Sequence, residues 1–188
     1  MNGVFDYPIV VVEHSNHLPH WYAPRGIYFV TFRLYDSLPE HRIVELRDQR
    51  RSLLESVRRR YGVISDSQLT EIESIVRTRI ERDLDRFAGH CFLKNSRIAR
   101  VVADALHCFD EQRYDLFTWA IMPNHVHVVF EWRDEETLDK TIHSWKSFTA
   151  KRANEILGRV GEFWECDYYD RLIWCEEELF ATVDYMWG

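Results

Sequence analysis

The sequence is short of the residues that would make it a metal ribbon, a secreted scaffold or a membrane protein. Its four cysteines, Cys91, Cys108, Cys166 and Cys175, are scattered with no CxxC pair, which excludes a zinc ribbon and a disulfide framework. That usage fits a reducing intracellular compartment, the cytoplasm. Seven glycines and five prolines are too few for a collagen-like or linker-dominated chain. No apolar run approaches ~18 residues, so no transmembrane helix and no membrane partner are expected. The first residues lack a basic stretch followed by an apolar one, so no signal peptide is expected. Positive charge is also short: 24 Lys and Arg face 31 Asp and Glu, for a net charge of −7. That balance argues against a nonspecific nucleic-acid coat protein. It leaves room for an enzyme that binds nucleic acid through a local basic face.

What the chain does have is material for a core. Of 188 residues, 46% are hydrophobic, and seven are Trp. This fits a single domain over 1–188, with a helical insertion over 39–90. Residues 1–26 read as an irregular arm with a short strand at 9–12. Residues 26–35 (GIYFVTFRLY) alternate aromatic and β-branched side chains and predict a strand. Helical spacing follows over 39–61, where Ile43, Leu46, Leu53, Leu54 and Val57 form a stripe that Gly62 ends. A second helix is predicted over about 67–87, and a third after a cap at Asn95 or Ser96. Residues 113–122 and 125–132 predict two strands joined by a two-residue Pro123-Asn124 turn, hence an antiparallel hairpin. A helix over 137–157, a short strand at 168–174 and a helix from Glu176 complete the order. The sequence of elements predicts an α+β, ferredoxin-like split βαβ antiparallel sheet with a helical insertion and a C-terminal helix.

The triplet His125-Val126-His127 carries the most chemical information. Strand side chains alternate faces, so His125, His127, Val129 and Glu131 share one face. Val126, Val128, Phe130 and Trp132 share the other, which is wholly apolar and should pack on helices. Two imidazoles at adjacent positions of one face can ligate one divalent cation. Spacing alone also fits two sheet histidines with no ligand. The histidines are expected on an exposed sheet face.

In context, the stretch WAIMPNHVHVVFE (119–131) follows the strand GIYFVTFRLYDSLP and precedes WKSFTAKRANEILGRVGEFWECDYYDRLIW. These blocks, in this order, resemble the REP-associated tyrosine transposases, members of the HUH single-tyrosine class that act on single-stranded DNA. The resemblance runs from about residue 20 to the end. It implies that His125 and His127 are the paired metal ligands, for Mg2+ or Mn2+, and that Tyr185 in ELFATVDYMWG is the nucleophile. On a helical wheel Leu179, Val183 and Met186 make one apolar face, and Tyr185 projects to another side. Tyr168 and Tyr169 are rival tyrosines in an extended segment. The resemblance also implies a third, polar ligand four residues after the tyrosine. The sequence stops three residues after Tyr185, so truncation is expected, and Glu131 or water is left to substitute. Trp174 departs from the arginine common in relatives after YYDRLI.

Phosphate contacts are expected from Lys146, Lys151 and Arg152 near the site, and from Arg47, Arg50 and Arg51 in an arginine-rich helix. The implied activity is metal-assisted cleavage and rejoining of hairpin (REP-like) single-stranded DNA through a covalent phosphotyrosine link, by a monomer or homodimer. A catalytically impaired hairpin-DNA-binding protein is the alternative. A metal phosphohydrolase using water as nucleophile is a third reading.

Overall fold

In a computed structural model, residues 3–7, 11–15, 18–86, 89–133 and 137–187 are described. They form two compact units, 36–91 and the remainder of the chain.

In the larger unit a hairpin of β1 (Val11–Ser15) and β2 (Leu18–Tyr22) comes first. It replaces the irregular arm expected there; of the strand expected at 9–12, residues 9 and 10 lie outside the described residues. The central sheet has four strands: β3 (Ile27–Arg33), β4 (Tyr114–Ile121), β5 (His125–Trp132) and β6 (Tyr169–Ile173). Their order is β4-β5-β3-β6, and every pairing is antiparallel. This is the α+β, ferredoxin-like arrangement that the sequence pattern predicts. The β4–β5 connection is three residues, Met122 to Asn124, closed by Met122 N–H donating to His125 O at 2.9 Å.

The alternation of β5 divides the core. Val126, Val128 and Phe130 join Tyr28, Val30 and Phe32 of β3 in the main cluster, with Ile98, Val102 and Leu106 of α3 (Ser96–His107) and Ile142, Trp145 and Ala153 of α4 (Leu138–Leu157). Asn95 caps α3 by accepting from Arg97 N–H, as its side-chain oxygen should. Gly158 ends α4 at φ 63°, a left-handed conformation that glycine adopts without penalty. Two buried side chains lock the helices to the sheet: Trp145 donates to the Tyr114 hydroxyl at 3.0 Å, and that hydroxyl donates to Leu106 O at 2.7 Å.

The opposite sheet face is covered by α5 (Glu176–Trp187). Ile27, Phe29, Val129 and Ile173 form a second apolar cluster there, packed by Leu179 and Met186 of α5 and by Phe5. The histidine face is therefore closed over rather than open to solvent.

The smaller unit contains α1 (Glu40–Tyr61) and α2 (Asp66–Leu84). Ser65 caps α2 in a reciprocal capping box with Gln68. Arg50 to Glu73 and Arg42 to Asp83 bond one helix to the other. Among the described residues no helix is long and apolar enough to cross a membrane.

Candidate active site

Register places the site. Across β3 and β5, Thr31 pairs with His127 and Arg33 with His125, so all four side chains share the α5-covered face. In the next strand Tyr169 pairs with Thr31, placing it in the same row.

The two histidines correct the expectation of an exposed face: His125 is 0% and His127 3% exposed. The reason is α5 above them and Phe29 beside them, stacked on the His127 ring with centroids 5.2 Å apart. Their ring nitrogens are nonetheless met by polar atoms. His125 Nδ1 lies 2.8 Å from Asn124 Oδ1, and His127 Nδ1 lies 2.8 Å from Thr31 Oγ1. The two Nε2 atoms face each other at 3.0 Å. Loss of solvation pushes the His125 ring down to about 3, aided by His127, and pushes His127 down to about 4. Both imidazoles are therefore neutral at physiological pH, the form that ligates metals.

The donor set fits a cation at these two rings. Two imidazole nitrogens bonded at ~2.1 Å to one ion at a near-right angle stand ~3 Å apart, which is the separation found. Among the described residues no group of three or more His, Cys, Asp or Glu is placed to hold a metal. Glu131 does not complete the set: it lies four positions along β5 from His127, roughly 13 Å at strand rise, and pairs with Arg25 at 2.6 Å.

Tyr185 comes to this pair from α5 of the same chain. Its ring stands edge-on to His127 with centroids 5.9 Å apart, and it remains 48% exposed. The helix packs Leu179 and Met186 of the apolar face read from its wheel against the sheet, and Glu178 and Thr182 turn toward β6, where Arg171 binds Glu178 and donates to Thr182 Oγ1 at 2.7 Å. Tyr185 flanks that face instead of opposing it. At the far end of α5, Trp187 donates to Thr118 Oγ1 of β4 at 3.2 Å. Tyr168 is elsewhere: its hydroxyl donates to Asp139 of α4, and burial pushes its pKa far up.

The expected phosphate-binding residues divide. Lys146 donates to Cys166 O at 2.6 Å, and burial lowers its pKa. Arg152 pairs with Glu155 at 2.7 Å, while Lys151 is exposed on α4. In the smaller unit Arg50 is bonded to Glu73, Arg51 to Asp48, and Arg47 is exposed. Sequence reasoning missed Asn124 and Thr31. The signal for Thr31 was a small hydroxyl side chain among the large side chains of its strand; for Asn124 it was adjacency to the first histidine.

Residues 92–177 match the family described as "Transposase IS200 like", in line with the resemblance read from the sequence over that segment. Among solved structures, the chain is similar to a REP-associated tyrosine transposase bound to a REP hairpin, at 12% identity and a TM-score of 0.52, covering 92% of this chain and 71% of that one. It is also similar to a transposase-assigned protein of Deinococcus radiodurans R1, at 11% identity and a TM-score of 0.35, covering 87% and 89%. No curated protein matches.

Proposed function

We propose that this chain cleaves and rejoins hairpin-forming single-stranded DNA through a covalent phosphotyrosine at Tyr185, with a divalent cation, Mg2+ or Mn2+, held by His125 and His127. The observation that carries this reading is the approach of Tyr185 to His127 within one chain, 5.9 Å between ring centroids.

A phenol has a reference pKa of ~10 and is a weak nucleophile at neutral pH. A bound cation would neutralise and orient the scissile phosphate and favour the phenolate. The Tyr185 oxygen forms a bond to phosphorus while the bond from phosphorus to one deoxyribose oxygen breaks. The phenolic proton leaves to solvent and the departing oxygen takes up a proton, so a free hydroxyl results. The phosphodiester energy stays in the tyrosyl ester, and attack by another hydroxyl rejoins the strand. His125 and His127 supply neutral ligands, and the walls of Phe29 and α5 keep water from the rings. Lys151 and Arg152 on α4 and Arg47 and Arg51 on α1 are the proposed phosphate contacts. Since Tyr185 lies on its own chain's histidines, a monomer suffices for the first cleavage. The domain reading is a single transposase-like domain over 1–188 whose 39–90 segment is an insertion.

The test is incubation with end-labelled hairpin oligonucleotides and Mn2+ or Mg2+. An SDS-resistant protein–DNA adduct, absent in Tyr185→Phe, is expected. Hairpin binding with no adduct under either metal would overturn the enzyme reading in favour of an impaired hairpin binder. Cleavage surviving Tyr185→Phe would assign the nucleophile to water.

A further inference from the structure

Resting on the reading of His125 and His127 as cation ligands, the geometry points to Thr31 and Asn124 as positioning residues that set the histidine tautomers. Asn124 fixes His125 with its Nε2 lone pair toward the site, and the rotatable Thr31 hydroxyl lets His127 do the same when a cation is present.

Two neutral imidazole nitrogens 3.0 Å apart admit few arrangements. Two lone pairs facing each other repel, and two N–H groups clash. One proton or one cation must stand between them. Asn124 Oδ1 can only accept, so His125 Nδ1 carries the proton and its Nε2 is bare. The choice is left to His127. Thr31 Oγ1 both donates and accepts, and it meets His127 Nδ1 at 2.8 Å. If Thr31 donates, His127 carries its proton on Nε2 and gives it to His125. If Thr31 accepts, the proton sits on Nδ1 and both Nε2 lone pairs point at one ligand. All four residues are buried: Asn124 and His125 0%, Thr31 2% and His127 3% exposed. Water is therefore a poor substitute for either partner, and the tautomer is dictated by these two side chains.

The cross-strand partner of His127 on the other side is Ala120, which has no hydrogen-bonding side chain, and Phe29 offers only its ring face. A valine at position 31 keeps the strand shape and removes the acceptor. His127 Nδ1–H would then be buried without a partner, so the ring would hold its proton on Nε2, where it blocks a ligand.

The test measures Mn2+ binding by calorimetry on the full chain, without DNA. Thr31→Val should bind Mn2+ about 10- to 100-fold more weakly, while Thr31→Ser, which keeps the hydroxyl, should restore binding to within about threefold. Thr31→Val folded and binding Mn2+ as tightly as the parent would overturn the inference. Should Thr31→Val not fold, ring 15N spectra of the parent decide: the His127 proton should move from Nε2 to Nδ1 on Mg2+ addition, and an unchanged tautomer would overturn it. The double variant His125→Ala/His127→Ala separates the two readings. Undiminished Mn2+ binding in that variant removes the underlying ligand assignment, whereas binding lost there and intact in Thr31→Val removes only the positioning role.

Discussion

Arg171 of β6 donates to Thr182 Oγ1 of α5 at 2.7 Å and forms an ion pair with Glu178 one turn earlier. Glu178 also accepts from Trp174 N–H at 2.9 Å, so one carboxylate joins the end of β6 to the start of α5. These contacts set the rotation of the helix, and with it the side of the helix from which Tyr185 reaches His127. Arg171→Met should free α5 to rotate or fray without emptying the apolar cluster of Leu179 and Met186. The expected loss is about 1–3 kcal/mol, the range for charge-assisted hydrogen bonds, at the low end because both partners are partly solvated. Amide hydrogen exchange is the direct measure. The amides of α5 should exchange faster while those of β3 and β5 stay protected, and uniform acceleration across the sheet would contradict a local role.

The histidine pair makes stability depend on pH. Both rings titrate in the folded protein well below their ordinary value, at about 3 for His125 and about 4 for His127, with burial as the main cause. In the unfolded chain they titrate near ~6.5. Below that pH the unfolded state binds more protons, so the contribution is complete above pH ~6.5 and is lost as pH falls toward 4 and then 3. The slope is at most about 1.4 kcal/mol per pH unit for each ring. Urea unfolding in the presence of a chelator at pH 7, 5.5 and 4.5 reads this directly. His127→Gln should flatten the parent's slope between pH 6.5 and 4.5, and an identical slope would remove these rings as the source.

Most of the fold was legible because its signals are local. Gly62 and Gly158 stop helices, Asn95 starts one, and the alternation of 125–132 sorts β5 into two faces, as found. The burial of the histidine face was not legible, because it depends on a helix some fifty residues later. Periodicity placed Leu179 and Met186 on the packed side of α5, as found. Polar anchoring by Arg171 also turned Glu178 and Thr182 inward, and no hydrophobic pattern reports that. The hairpin of β1 and β2 was hidden by Pro19 and its histidines, which lower strand propensity without forbidding an edge pair.

Removing the histidines should now carry a structural penalty. A pair on an open sheet face could be truncated at little expense, but these rings are the partners of buried Asn124 and Thr31. His125→Ala/His127→Ala should lower stability by about 2–5 kcal/mol, from cavity formation and unpaired polar groups together. Loss of cleavage in that variant is therefore interpretable only beside its melting temperature. His127→Asn, which keeps a polar group, should destabilise less than His127→Ala, and equal melting temperatures would show that the polar contact contributes nothing.

The arginine-rich helix separates phosphate contacts from structural ion pairs. The 36–91 unit holds eleven basic and eleven acidic residues, so the chain's net charge of −7 falls on the other unit. Within α1, residues 50–61 include five arginines against one glutamate. Arg50 is bonded to Glu73 at 2.8 Å across to α2, and its replacement should lower stability more than affinity. Arg47 is exposed, and Arg51 pairs with Asp48 on its own helix. Each of these two, and Lys151 on α4, should weaken hairpin binding when changed to Gln. Each should also reduce the slope of log affinity against log salt by about 1. Titrations of each variant with a labelled hairpin between about 50 and 200 mM salt give both quantities. Arg50→Gln losing affinity with a reduced salt slope and an unchanged melting temperature would reverse the assignment, making that guanidinium a contact to DNA and its bond to Glu73 incidental.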